Sequence, residues 1–405
     1  VREVNVKALF LTNEYPPHVY GGAGIHVEYL CRELAKSIDI EVRCFGEQQA
    51  KDGRLAARGF APDPARFANT VPGLKSPLSA FDNCIAFNAE PVDAHVVHCH
   101  TWYTHLGGLI AQTAYGIPMV ITTHSLEPLR PWKREQLGLG YDLSTWIERT
   151  ALERADSIIA VSRGMKDDIL KLFDVDPTKI DVIYNGIDTD EFRPATGTAT
   201  LERFGIDPAV PYVLFVGRIT RQKGIIHLVN AIKYIDERVQ IVLCAGQPDT
   251  PEIGKEMADR VQKVQRDRKN VIWIREWVDT PSKIELYSHA TVFCCPSIYE
   301  PFGIINLEAM ACATPVVASA VGGIKEIIVN DETGYLVPLE QHQESPFEAL
   351  HPDEFARGLA EPINRIVADP ALRTRLGAAS RLRAEALFSW KAIAGQVLSL
   401  YRRLT

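Results

Sequence analysis

Short apolar runs alternate along the chain with segments whose apolar residues recur every third or fourth position. Val6 to Leu11 reads as a buried strand, and Val27, Leu30 and Leu34 then recur at helical spacing. Val96 to Cys99, Met119 to Thr122 and Ile158 to Val161 are further strands, with a helix over 142–155 between the last two. A second series opens with Tyr212 to Val216. Ile225, Leu228, Val229 and Ile232 follow on one helical stripe. Val239 to Cys244, Val271 to Ile274, Ala290 to Cys295 and Pro315 to Ser319 continue it. Trp390, Ile393, Val397 and Leu400 predict a last helix over 389–404. Residues 47–82 read as one long loop with no role assigned.

Strands alternating with helices predict parallel sheets covered on both faces. A chain of 405 residues is too long for one core, so two such domains are expected. The turn-rich stretch IYNGIDTDEFRP, 183–194, reads as the crossing between them. Ligands of such sheets bind beyond the carboxyl ends of the strands, here in a cleft between two domains.

Several strand ends carry candidate chemistry. In SIYEPFGIINLEAM, Pro301 and Gly303 oppose a continuous helix, so Glu300 falls in a loop after the strand 290–295. Ile304 to Ala313 then reads as a helix bearing Glu308. Backbone N–H groups around Phe302 to Ile304 would point out of its start. After the first strand, Gly21, Gly22 and Gly24 precede a helix, which suits close approach to a phosphate or sugar; the plain alternative is a tight turn. In FVGRITRQKG, Arg218 and Lys223 flank a turn, which suits a diphosphate. His124 ends the strand MVITTH and can donate to a hydroxyl or phosphate. The H-x-H pair His98 and His100 lacks further ligands nearby in sequence, so no metal site is assigned. Two D-x-D strings, Asp174 to Asp176 and Asp188 to Asp190, read as turn residues.

Composition narrows the partners. Hydrophobic residues make up 46% and charged residues 23%, ordinary for a globular protein. The net charge of −7, without a basic run, argues against nucleic acid. Eight scattered cysteines suggest reduced thiols and a cytoplasmic location. No secretory leader pattern and no apolar run of about 18 residues is found, so no membrane span is expected. The oligomeric state is open, and a homodimer is compatible with these features.

Taken together, GGAG after the first strand, GRITRQKG and EPFGIINLE (an E-x7-E motif) resemble the retaining glycosyltransferases of the GT-B fold, family 4. The resemblance extends through YNGIDTDEFRP, ATPVVASAVGGIKEII and TGYLV, so it covers nearly the whole chain. EYPPHVYGGAGIHVEYL, VHCHTWYTHLGG, THSLEPLRPWKREQLG and YDLSTWIERTALERADSIIAVS are similar to the actinobacterial-type glycogen synthase group, which includes ADP-glucose-dependent maltose-1-phosphate synthases.

The resemblance implies an α/β architecture of two Rossmann-like, doubly wound domains. These are an acceptor-side domain over 1–190, a nucleotide-sugar domain over 191–385, and a helix over 386–405 crossing back to the first. It implies that Glu308 binds the ribose, and that Glu300, with Phe302 and Gly303, holds the donor sugar. Arg218 and Lys223 would neutralise the diphosphate, His124 would contact the sugar, and Gly22 to Gly24 would approach the phosphates. Catalytic roles thus fall to His124, Arg218, Lys223 and Glu300. The acceptor would be glucose 1-phosphate or an alpha-glucan, met by His100, Trp102, Arg130, Lys133 and Arg134. No metal or other cofactor is expected. Base choice is placed near Trp277 to Asp279. Rival readings are a family-4 transferase with another sugar-phosphate or lipid acceptor, a glycosidase using Glu300 and Glu308, a sugar-nucleotide epimerase, and an inactive nucleotide-sugar-binding protein.

Overall fold

The computed structural model describes residues 6–19, 21–63, 65–71, 73–342 and 347–405. The chain forms two compact units, Val1–Gly186 with Trp390–Thr405, and Ile187–Ser389.

The N-terminal unit is built on an eight-stranded sheet. Its strands are β1 (Lys7–Thr12), β2 (Asp39–Phe45), β3 (Gln49–Asp52), β4 (Leu55–Phe60), β5 (Val96–His100), β6 (Met119–Thr123), β7 (Ser157–Ala160) and β8 (Ile180–Val182). Their order is β3-β4-β2-β1-β5-β6-β7-β8, and every pairing is parallel except β3 with β4. β5, β6 and β7 are buried along their whole length, which is why they read as strands from short apolar stretches, although β5 carries His98 and His100 and β6 ends in Thr122 and Thr123. The strand order reverses between β1 and β5, so ligand-binding loops are expected after those two strands.

Residues 47–82 correct the sequence reading. They are not one loop but contain the β3–β4 hairpin and the start of the helix Lys75–Ala89. β3 is exposed at every residue, an edge strand without an apolar signal. The helix at 142–155 begins two residues earlier, at Gly140, and ends at Arg154.

The helix Trp390–Leu404 completes the N-terminal unit. Trp390, Ile393, Ala394, Val397, Leu400 and Tyr401 are buried and share a cluster with Val27, Leu30 and Leu34 of the helix Gly22–Leu34. Burying these large side chains contributes on the order of 10 kcal/mol, as an upper figure.

The C-terminal unit has six parallel strands, β9 (Tyr212–Arg218), β10 (Gln240–Gly246), β11 (Val271–Ile274), β12 (Val292–Cys295), β13 (Val316–Ser319) and β14 (Gly334–Val337). The order β11-β10-β9-β12-β13-β14 is that of a doubly wound dinucleotide-binding sheet, with its reversal between β9 and β12. Arg218 ends β9, and the loop holding Glu300 follows β12. Among the described residues no helix is long and apolar enough to cross a membrane, and all eight cysteines are unpaired and buried.

Candidate active site

In the C-terminal unit the two loops at the sheet reversal meet. The turn after β9 is tight: Lys223 N–H donates to Thr220 Oγ1 at 3.1 Å, and Gly224 sits at φ +60°. A Cβ on Gly224 would stand 2.0 Å from Pro296 O, so only glycine lets this turn close on the loop after β12. Across that approach Lys223 Nζ lies 2.7 Å from Glu300 Oε2. Ser297 Oγ donates to the same carboxylate oxygen at 3.2 Å. Gly323 N–H holds Glu300 O at 3.0 Å, fixing the glutamate's backbone.

Burial acts to lower the Lys223 ammonium, but the Glu300 carboxylate outweighs it and the net shift is upward. Arg218 is near enough to weigh against that charge, and its Nη1 is 2.9 Å from Asp249 Oδ1. The turn thus presents two cations, each already in contact with a carboxylate.

Gly303, at φ 108°, is the N-cap of the helix Ile304–Ala311. Phe302 is buried against Phe388. Glu308 is buried one turn into the helix, where Tyr287 Oη–H donates to Oε2 at 2.8 Å and Lys283 Nζ lies 3.4 Å from Oε1. Burial, then Glu308 itself, pushes the Tyr287 phenol well up, so it remains a donor. Glu300 and Glu308 therefore have separate partner sets on successive elements.

In the N-terminal unit Glu14 answers the glycine-rich turn. Gly21 N–H donates to Glu14 Oε2 at 2.7 Å, and a Cβ on Gly24 would stand 2.9 Å from that oxygen. Gly22 opens the helix Gly22–Leu34, which has no side-chain cap. Tyr20, beside this turn, lies outside the described residues. After β5, Thr101 has φ 66°, a strained conformation for a β-branched residue, and its Oγ1 donates to Asn13 Oδ1 at 2.9 Å.

Histidines gather at the ends of β5 and β6. His100 Nδ1 is 3.0 Å from His124 Nε2, and the His26 ring lies 4.7 Å from that of His124. Burial pushes His26 down to about 4 and holds His100 and His124 well below the usual range. These are neutral imidazoles, and among them His100 and His124 share a hydrogen bond. His98 is occupied by Tyr401 Oη at 2.6 Å and Thr122 Oγ1 at 2.7 Å, so His98 and His100 do not form a chelating pair. His26, His100 and His124 do present ligand atoms within 4.8 Å of one another. An ion there would have to replace the His100–His124 hydrogen bond.

The basic stretch divides. Arg130 is 16% exposed, 3.1 Å from Ser125 Oγ and 3.7 Å from the buried Glu127 carboxylate. Arg134 is 55% exposed, pairs with Asp142 at 2.7 Å and lies over Tyr141. Lys133 begins the short helix Lys133–Leu137. Trp102 is 3% exposed and packs in a core cluster with Ala80, Tyr141 and Ile147, stacked on Tyr103. Its ring is part of the core rather than an open platform. The Asp176 and Asp188 carboxylates accept backbone N–H groups two residues on, as turn residues do.

Sequence reasoning passed over Glu14, Thr101, Asp249, Lys283, Tyr287 and Ser297. Glu14, Thr101 and Ser297 stood inside quoted motifs, whereas Asp249, Lys283 and Tyr287 come from elements distant from their partners.

Comparison with known proteins identifies the family and the fold. A family model described as Glycosyltransferase Family 4 matches residues 20–191, and one described as Glycosyl transferases group 1 matches residues 199–383. The alpha-maltose-1-phosphate synthase of Mycolicibacterium smegmatis is 48% identical over 405 residues, covering 99% of this chain and 100% of the relative. That of Mycobacterium tuberculosis is 47% identical, covering 98% of this chain and 100% of its own. Sucrose-phosphate synthase from Thermosynechococcus elongatus superposes with a TM-score of 0.77 at 26% identity, covering 98% of this chain and 99% of that one. The catalytic domain of starch synthase IV from Arabidopsis thaliana, bound to ADP and acarbose, has a TM-score of 0.75 and shares the fold at 17% identity, with 99% of each chain covered.

Proposed function

The chain belongs to the family-4 glycosyltransferases of the GT-B fold, and on that premise we propose that it transfers glucose from ADP-glucose to glucose 1-phosphate, giving maltose 1-phosphate. The observation that carries this reading is 48% identity, end to end, with a protein named alpha-maltose-1-phosphate synthase.

In this reading the bond from the sugar's anomeric carbon to the diphosphate oxygen breaks, and the acceptor's 4-hydroxyl oxygen forms the new bond on the same face. The hydroxyl proton passes to the departing phosphate. Arg218 and Lys223 take up the negative charge that grows on the diphosphate, commonly the largest catalytic term. No metal ion is needed for that, because the two side chains supply the positive charge. Glu308, oriented by Tyr287 and Lys283, accepts from the ribose hydroxyls. Glu300 and the backbone at Phe302 and Gly303 hold the sugar hydroxyls. In the N-terminal unit, His124 is assigned to the donor sugar and Gly22 and Gly24 to the donor phosphates. The acceptor is assigned to His100, Arg130, Lys133 and Arg134.

The test is a product assay with ADP-glucose, offering glucose 1-phosphate in one reaction and glycogen in another, with UDP-glucose as the donor control. A phosphorylated disaccharide formed from ADP-glucose is the expected product. Extension of glycogen alone would replace the acceptor assignment, and preference for UDP-glucose would replace the donor.

A further inference from the structure

The turn that carries Lys223 also walls a separate cavity of about 330 Å³ in the C-terminal unit. Thr220, Arg221 and Gly224 line it, whereas Lys223 and Glu300 do not. The helices Ile225–Ala231 and Pro251–Asp267 supply apolar walls through Ile225, Ile253 and Met257.

His227 faces this cavity in an unusual condition. It is 2% exposed, and among the described residues neither ring nitrogen has a hydrogen-bond partner. A buried polar ring without partners is unfavourable unless something else supplies them. A carboxylate oxygen of Glu348 is 3.6 Å from Nε2, beyond hydrogen-bond distance. The same glutamate stands 3.8 Å from Arg221 Nη1. Glu348 thus approaches two positive or donor groups and closes on neither. On the rim, Arg260 is held by Glu256 at 2.8 Å and Asn230 at 3.3 Å. An imidazole and a guanidinium set against an apolar wall suit an amphipathic anion, not a free sugar.

We propose that this cavity binds a small organic anion, a phosphate or carboxylate on an apolar body, with its head between Arg221 and His227 and its body against Ile225, Ile253 and Met257. Glu348 is the internal competitor for the head. The ligand is distinct from the donor and acceptor of the proposed reaction, and its binding is measured without reference to turnover. It would rest on a turn whose shape is passed on directly, since Thr220 Oγ1 holds Lys223 N–H and Arg221 O holds Gly224 N–H.

Phenyl phosphate and benzoate are the probes, titrated calorimetrically into the full chain with excess ADP present. At least one should bind saturably, and the tighter of the two identifies the head group. Arg221→Gln and His227→Phe should weaken binding about tenfold or more, and Glu348→Gln should tighten it. Arg221 is partly exposed, so its variant keeps the test sound if His227→Phe folds poorly. Absence of saturable binding, or an affinity indifferent to both Arg221→Gln and Glu348→Gln, overturns the proposal. Failure of the transferase reading would instead appear in the product assay and leave these titrations unchanged.

Discussion

Lys223 Nζ lies 2.7 Å from Glu300 Oε2, tying the turn after β9 to the loop after β12 at the reversal of the sheet. The contact holds the ammonium charged despite its burial, because the carboxylate outweighs desolvation. A diphosphate near this turn would compete with Glu300 for the lysine. Such an exchange would release the glutamate to the sugar hydroxyls, so one pair would serve both ends of the donor.

Lys223→Ala should therefore lower turnover by roughly 10²-fold at saturating donor, the scale of losing a positioned electrostatic group. Glu300→Gln should also lower it. The double variant should fall less than the product of the two single effects, since each single change disturbs the same contact. Steady-state kinetics of the three variants measure this. Strict multiplicativity would show that the two residues act independently.

Tyr287→Phe should weaken donor binding more than it lowers turnover. It removes the 2.8 Å hydrogen bond to Glu308 Oε2, leaving Lys283 at 3.4 Å from the other oxygen. The buried carboxylate loses a partner, so stability should also drop by about 1–3 kcal/mol. A rise in the apparent donor constant with little change in turnover, and a lower melting temperature, is the expected pattern. An unchanged donor constant would separate Glu308 from the nucleotide.

What the sequence disclosed follows from burial. β9 and β12 are buried on both faces, so YVLFV and ATVFCC announce themselves. β2 was passed over although Ile40, Val42 and Cys44 alternate, because Asp39, Glu41 and Arg43 interrupt the run. Arg43 is buried there with its guanidinium donating to the Glu41 carboxylate and to the carbonyls of Phe87, Glu90 and Pro91, and the carbonyls are long-range information. The site divides in the same way. Arg218, Lys223, Glu300 and Glu308 stand in motifs readable by spacing. Tyr287 and Asp249 reach Glu308 and Arg218 from other elements, and no local pattern marks them.

Acid should destabilise the N-terminal unit earlier than its carboxylates alone would. Burial pushes His26 down to about 4 and His105 to about 3, from an ordinary value of 6.5. Between those values the unfolded chain binds more protons than the folded one, so stability falls as pH drops from about 6.5 toward 4. His26 alone accounts for on the order of 3 kcal/mol across that window. Melting temperatures measured from about pH 7.5 down to about pH 5 should decline. His105→Leu should flatten the decline, and an identical slope in that variant would count against this account.

Arg130 and Arg134, four residues apart, should differ sharply in what their loss costs. Arg130 is 16% exposed and faces Glu127, which is 2% exposed. Glu127 N–H donates to Glu148 Oε2 at 2.8 Å, and burial followed by Glu127 itself pushes the Glu148 carboxyl well up. Removing Arg130 leaves a buried carboxylate beside a second acid, so Arg130→Ala should cost about 3 kcal/mol of stability. Arg134 pairs with Asp142 on the surface, both more than half exposed, so solvent screens the pair and its loss should leave stability nearly unchanged. The acceptor is therefore best tested without touching Arg130. Reversing charge at Lys133 and Arg134 together should raise the apparent constant for glucose 1-phosphate far more than that for ADP-glucose. The melting temperature should stay near that of the parent. Equal changes in both constants would return Lys133 and Arg134 to the ordinary charged surface and leave acceptor recognition to groups nearer His100.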